Sequence, residues 1–303
     1  MIGFKDFLGE KQALEEKLVT FGGKAYPKFG HMVIMAGGAG SGKGFVLDKL
    51  LGIEGVVYDV DHLKKMVAKT NNLSKKIKDF SGYDVKALYS KLKDQENVRH
   101  LHSAIKSLKI DDRKLSRLMN SIFLAPSDRI PNIIFDVTLK DMKKFHELTG
   151  FIDKNLPYSR KNVHLVWVIT SFEVAKRQNA KRDRVVPDDI MVKTHTGVSE
   201  TMADLMKMSD QIQRYIDGDV VFVFNTKGVD SEFVEREKGD SRRNTPAEFG
   251  GKYKGGFFAK KQDAFYIYVK RQGEKMMSIN DLSKELTDKI MTYTPSGEKW
   301  RRP

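Results

Sequence analysis

One stretch limits the folds open to this 303-residue chain more than any other: "GGAGSGKGF", residues 37–45. The apolar run "HMVIMAG" (31–37) leads into it, and "GKGFVLDKLLG" (42–52) leaves it with helical character, closed by Gly52. A strand, a glycine loop and a helix in that order aim backbone N–H groups and the helix dipole at a phosphate. Gly37, Gly42 and Lys43 take the fixed positions of a G-x-x-x-x-G-K loop, in which the lysine reaches the β- and γ-phosphates. Gly37, Gly38, Ala39, Gly40, Ser41, Gly42, Lys43, Gly44 and Phe45 are therefore the candidate nucleotide-binding residues. Such loops usually close on a Ser or Thr that holds Mg²⁺. Here Gly44 and Phe45 follow the lysine, so neither position offers a hydroxyl, and Ser41 stands earlier in the loop.

Four more apolar runs read as strands: "GVVYDVD" (55–61), "PNIIFDVT" (131–138), "KNVHLVWVIT" (161–170) and "GDVVFVFNT" (218–226). Helical patterning separates them, which argues for an α/β fold. The expectation is a P-loop NTPase-type parallel sheet of about five strands with helices on both faces. Ligands of such sheets bind beyond the C-terminal strand ends. The glycine loop, Asp59 and Asp61, Asp136 and the residues after Thr170 all fall there. Three parts are expected: an amphipathic N-terminal extension (1–30), a kinase-like domain (31–228) with a basic helical insertion at about 62–124, and a basic, aromatic appendage (229–303). In the extension, Phe4, Phe7, Leu8, Leu14 and Leu18 have near-helical spacing. In the appendage, "DAFYIYVKRQ" reads as a strand and "SINDLSKELTDKIM" as a capped helix.

The strand-end acids carry the next layer of chemistry. Phosphoryl transfer to an alcohol uses a carboxylate that takes the hydroxyl proton. Asp61 fits that role, with Asp59 beside it, although strand-end acids also cap helices or face solvent. Asp136, after "NIIF", sits where a Walker-B acid holds the Mg²⁺ shell, and Asp136 and Ser41 are the candidate metal ligands. "AKRQNAKRDR" (175–184) places Arg177, Arg182 and Arg184 on or just after one helix. Guanidinium groups on a lid neutralise the transferring phosphoryl, and a solvated basic helix face has the same pattern.

Charge bears on the partner. The net charge of +14 is concentrated: residues 62–120 hold fifteen Lys/Arg against six Asp/Glu, and 241–275 hold nine against three. That points to a polyanion, nucleic acid first and DNA ahead of RNA. Phe249, Lys252, Tyr253, Lys254, Phe257, Phe258, Lys260 and Lys261 would either stack bases and contact phosphates or pack the appendage onto the core. No cysteine is present, which excludes disulfides and fits a cytoplasmic setting. No apolar run reaches the roughly 20 residues that span a bilayer, so no membrane role is expected. The seven histidines lack metal-binding spacing, and Trp167 is expected in the core.

The G-K-G form of the loop is similar to that of nucleoside monophosphate kinases, except that Phe45 stands where they have Thr. "VYDVDHLKKM", "IIFDVTLKD" and "VAKRQNAKRDRVVPDDIM" resemble stretches of the phage polynucleotide 5′-kinase domain, over about residues 31–228. That resemblance implies Asp61 as general base, Lys64 in place of the arginine that contacts the acceptor phosphate, and Thr138 beside Asp136 in the substrate pocket. It also implies a lid bearing Arg177 with Arg182 or Arg184, and ATP with Mg²⁺ as cofactors. Zeta-toxin kinases share this layout, and phage kinases of 5-hydroxymethyluracil in DNA resemble it too. The leading expectation is an ATP-dependent kinase acting on a hydroxyl of nucleic acid, either a 5′ end or a hydroxymethylated base. The alternatives are a zeta-toxin-like kinase of a nucleotide sugar or other metabolite, and a nucleic-acid-binding ATPase without kinase activity.

Overall fold

The computed structural model describes residues 19–24, 26–107, 122, 124–182, 184–226, 233–235, 257–259, 264–295 and 297–301. For residues 60–63, 65, 107, 233–235 and 257–259 it describes the backbone alone. The expected helix over 4–18 and the aromatic and basic residues from Phe249 to Lys261 lie outside the described side chains.

Strand β1 (Met32–Ala36) is buried along its whole length, as a strand covered on both faces must be. It lies between β3 (Ile133–Asp136) and β4 (Val163–Thr170), parallel to both. β2 (Val56–Asp59) and β5 (Val220–Asn225) extend the parallel sheet outward. The strand order is β2-β3-β1-β4-β5 with one further strand, the seven-residue β8 (Ala264–Lys270), antiparallel on β5. The expected parallel core of five strands is present, and its sixth member comes from beyond residue 229. A separate pair joins β6 (Phe233–Glu235) to β7 (Phe257–Ala259).

Alternation along β1 divides the core into two layers. Met32, Ile34 and Ala36 pack with Trp167, Phe222 and Trp300 on one face; Val33 and Met35 pack with Val46, Leu50, Leu51 and Phe21 on the other. Helix α1 (Lys43–Lys49) covers the second face. The first face is covered by α6 (Met142–Asn155), α8 (Asp188–Lys207) and α9 (Lys284–Tyr293). Trp167 and Trp300 stack at 5.4 Å, and the indole N–H of Trp300 donates to Ser199 Oγ at 2.9 Å. Residues 264–300 thus contribute both a strand and core side chains to the same unit as β1.

Between β2 and β3, helices α2 (Val60–Lys69), α3 (Asn71–Ser81), α4 (Val85–Ser90) and α5 (Gln95–Ser107) gather around their own apolar cluster of Val67, Ile77, Val85, Leu101 and Ile105. The helices break at "FSGYD" (80–84). Gly82 ends α3 in the left-handed region (φ +75), and Asp84 caps α4 by accepting the N–H groups of Lys86 and Ala87. One boundary differs from the sequence reading. β2 pairs with β3 only through Asp59, and α2 starts at Val60, so Asp61 falls in the first turn of a helix rather than at a strand end. The valines of "GVVYDVD" suit either conformation locally, and only the length of the pairing strand decides between them.

β1 is the point where the strand order reverses, with β2 and β3 to one side and β4, β5 and β8 to the other. The crevice beyond its C-terminal end opens there. The glycine loop occupies that place.

Candidate active site

The loop joins β1 to α1, and its shape follows from its glycines. Gly42 is the residue before α1 and takes the left-handed conformation (φ +88), with no side chain capping the helix. Its Cα faces the amide of Asn225, leaving no room for a Cβ. Gly38 lies against the imidazole of His195, where a Cβ would also sit under 3.0 Å from the ring.

Donors engage five of the loop carbonyls. Gly37 O accepts from Lys43 Nζ at 2.9 Å, Gly38 O from the Ser41 N–H at 3.2 Å and Ala39 O from His195 Nε2 at 2.8 Å. Ser41 O accepts from Asn225 Nδ2 at 3.1 Å, and Gly42 O from the Val46 N–H at 3.0 Å. The first N–H groups of α1 have no helical carbonyl to bond. Together these features suit the loop to an anion: five of its carbonyls are engaged, the Ala39 and Ser41 N–H groups are used within the protein, and the first N–H groups of α1 with the positive helix end remain.

Lys43 Nζ also lies 3.5 Å from Asp136 Oδ1 at the end of β3, with the two side chains 16% and 25% exposed. Asp136 pairs in register with Met35 of β1 and Asp59 of β2, so both acids stand at the C-terminal edge beside the loop. Asp61 follows two residues later at the start of α2, its side chain outside the described ones. Lys64, one helical turn on, is 6% exposed. Thr138 is half-buried just past β3, before Leu139, whose φ of +54 turns the chain sharply.

Arg177 lies near the end of α7 (Phe172–Ala180), and Arg182 in the turn after it; both are exposed, whereas Arg184 is half-buried. Ser171 precedes α7, a residue type suited to capping a helix, but makes no side-chain cap bond. The connection to α8 is held by buried Asn179, which donates to Val186 O at 2.8 Å and accepts the Val186 N–H at 2.9 Å. The helical insertion meets this segment twice. The Val185 N–H donates to Leu92 O at 3.0 Å, and Arg99 pairs with Asp189 at 2.6 Å. The start of α7 reaches the loop itself, because Gly40 abuts Ala175 O.

Mg²⁺ takes oxygen ligands, keeps several waters and is bound through one or two carboxylates plus substrate phosphates. Asp136 supplies such a carboxylate. Ser41 is 1% exposed, and its Oγ is buried without a hydrogen-bond partner among the described residues. Among the described residues no group of three or more His, Asp or Glu could hold an ion alone. The donor set therefore fits a metal shared with a phosphate chain, not a cage built by the protein.

Sequence reasoning missed Thr194, His195 and Asn225. Thr194 Oγ1 lies 3.4 Å from the Ala39 N–H, and His195 is 3% exposed with its ring edge-on to Phe172. Burial lowers the His195 pKa, with the positive charge of Lys43 adding to the effect against the bond to Ala39. A carbonyl can only accept, so the neutral ring carries its proton on Nε2. "KTHTG" has no motif spacing to mark this histidine; Asn225 had only its place at the end of an apolar strand.

No protein-family model matches the sequence, and no curated protein matches it either. Solved structures with a similar fold include the AvrRxo1-ORF1:AvrRxo1-ORF2 complex with sulphate ions, one chain of which is 14% identical with a TM-score of 0.46. The alignment covers 88% of this chain and 65% of that one, so this chain spans less than two thirds of its length. A chain of the same complex with ATP is 13% identical, with a TM-score of 0.42, 90% of this chain covered and 75% of that one. A chain of the PezAT chromosomal toxin-antitoxin system of Streptococcus pneumoniae is 12% identical, with a TM-score of 0.35, 66% of this chain covered and 69% of that one.

Proposed function

We propose that the protein is an ATP-dependent kinase that moves the γ-phosphoryl group to a hydroxyl on nucleic acid. The observation that carries this reading is the loop at the end of β1, its carbonyls engaged elsewhere and Lys43 beside Asp136. The loop amides and Lys43 bind the β- and γ-phosphates, and Asp61 accepts the proton of the attacking hydroxyl. The acceptor oxygen bonds to the γ-phosphorus as the bond to the β,γ-bridging oxygen breaks, and ADP leaves with that electron pair. Arg177, Arg182 and Arg184 supply positive charge toward the phosphoryl group in transfer. Asp136, with Ser41, would hold Mg²⁺, which when bound neutralises phosphate charge. Asp59, Lys64 and Thr138 border the acceptor side.

The acceptor class rests on charge. The helical insertion presents Lys69, Lys75, Lys76, Lys78, Lys86, Lys91, Lys93 and Lys106 as exposed side chains, and it touches the segment that carries the arginines. Among the described residues no helix is long and apolar enough to cross a membrane.

Acceptors offered side by side with γ-labelled ATP test the reading: DNA with 5′-hydroxyl ends, hydroxymethylated DNA, RNA, nucleosides and nucleotide sugars. Label is expected on DNA. DNA affinity is also expected to fall steeply with salt, by about 10³-fold between 50 and 200 mM if some six phosphates are contacted. Label on a nucleotide sugar alone would retain the kinase and overturn its acceptor. Affinity indifferent to salt would remove the phosphate contacts.

A further inference from the structure

The glycine loop is held from above by a residue with no place in its motif. His195 lies on the second turn of α8, within hydrogen-bond reach of the Ala39 carbonyl (2.8 Å), with Thr194 at the Ala39 N–H and Gly38 against its ring. An anion-binding loop works only if its carbonyls point away from the anion, and a carbonyl so turned needs a donor. Gly37 and Gly42 find theirs within the loop and α1, but Ala39 and Ser41 must borrow one from another element. Asn225 serves Ser41 from β5 and His195 serves Ala39 from α8. The positive charge of Lys43 acts on this histidine, and Phe172 of α7 meets its ring edge-on.

Helix α8 starts just after Pro187, at the end of the segment carrying Arg182 and Arg184. Asn179 clasps that segment at Val186, and Asp189 on the first turn of α8 pairs with Arg99 of the insertion. The bond from His195 thus joins the phosphate loop to the element that continues from the arginine-bearing turn. We propose that His195 is a positioning residue: its Nε2–H holds the Ala39 carbonyl outward, sets the loop N–H groups toward the bound phosphates, and ties that shape to the segment of the lid arginines. The role deepens the kinase reading and rests on it for the identity of the ligand. It concerns nucleotide binding and not the acceptor.

Glutamine and alanine separate this role from simple packing. The amide nitrogen of glutamine reaches about as far as Nε2 and can donate to Ala39, whereas alanine cannot. Affinity for a fluorescent ADP analogue is measured for the wild type, His195→Gln and His195→Ala, together with thermal unfolding of each without nucleotide. Expected is a loss of about tenfold in His195→Ala, the fold-change of one lost hydrogen bond near 1.4 kcal/mol, with His195→Gln within threefold of wild type. Where transfer is measurable, His195→Ala should raise the KM for ATP more than it lowers kcat. Equal losses in both variants would assign the ring a packing role and overturn the proposal, as would unchanged affinity in His195→Ala. If the wild type binds ADP without transferring phosphate to any acceptor, the kinase reading fails while the role of His195 stands on the binding data. If the wild type binds no nucleotide, both fail.

Discussion

Replacing Lys43 by methionine is expected to lower phosphoryl transfer by about 10³-fold while leaving the protein folded. Methionine keeps the unbranched stem that leaves the loop, so the change removes the ammonium and little else. In the structure that ammonium is held between Gly37 O and Asp136 Oδ1, drawn across the loop mouth. Removing one donor that meets developing charge costs about 2.7–4 kcal/mol in comparable sites, which is 10²–10³ in rate. Under the proposed reading Lys43 would also supply charge for ground-state binding, which places the expected effect at the upper end. The stability cost is small, because the partly exposed pair is screened by solvent. The check is a transfer assay beside an unfolding curve. A variant that transfers at a tenth of the wild-type rate or faster would remove Lys43 from the chemistry.

Gly42→Ala should cost nearly as much through backbone geometry. Gly42 holds φ at +88, where a residue with a Cβ is strained by about 1–2 kcal/mol. The new methyl would also meet the Asn225 amide, displacing the donor that holds Ser41 O. Loss of that bond at a buried carbonyl adds about 1–3 kcal/mol. If most of the sum, about 2.7 kcal/mol, falls on the nucleotide-competent loop, affinity for ADP drops by about 100-fold. Gly44 is the control, since a Cβ there meets nothing within 4 Å and the residue lies in the first turn of α1. Gly44→Ala should leave binding unchanged and stabilise α1 by up to about 1 kcal/mol. Equal behaviour of the two alanine variants in binding and unfolding would show that the loop conformation does not matter.

The loop, the parallel strands around it and the acid at the end of β3 were legible in the sequence for a common reason, whereas the order of the strands was not. Each rests on local pattern: a glycine spacing, a buried apolar run, a turn residue at the end of that run. Gly82 and Asp84 announced a helix break for the same reason. What escaped notice depends on partners far along the chain. His195 meets Ala39 across 156 positions and Asn225 meets Ser41 across 184, and no spacing rule reports such contacts. The C-terminal region shows the same limit. "DAFYIYVKRQ" reads plainly as a strand, but only tertiary pairing reveals that it lies antiparallel on β5 and brings Trp300 to Trp167. The start of α2 one residue past Asp59 was likewise set by where β3 stops offering a partner.

Gly44, the residue that breaks the usual motif, sits in an open position on α1 and imposes no steric demand. The question it raised is one of metal ligation, and under the proposed reading Asp136 and the Ser41 hydroxyl, which has no hydrogen-bond partner among the described residues, would be the oxygens offered to the ion.

The central claim is transfer to an alcohol with Asp61 as base. It is tested most directly by following the γ-label of ATP into DNA with the wild type and with Asp61→Asn. Covalent label on DNA is expected from the wild type, with a fall of about 10²–10⁴-fold in the variant and ADP and DNA affinities retained. Label released only as inorganic phosphate with every acceptor, or transfer undiminished in Asp61→Asn, would contradict it.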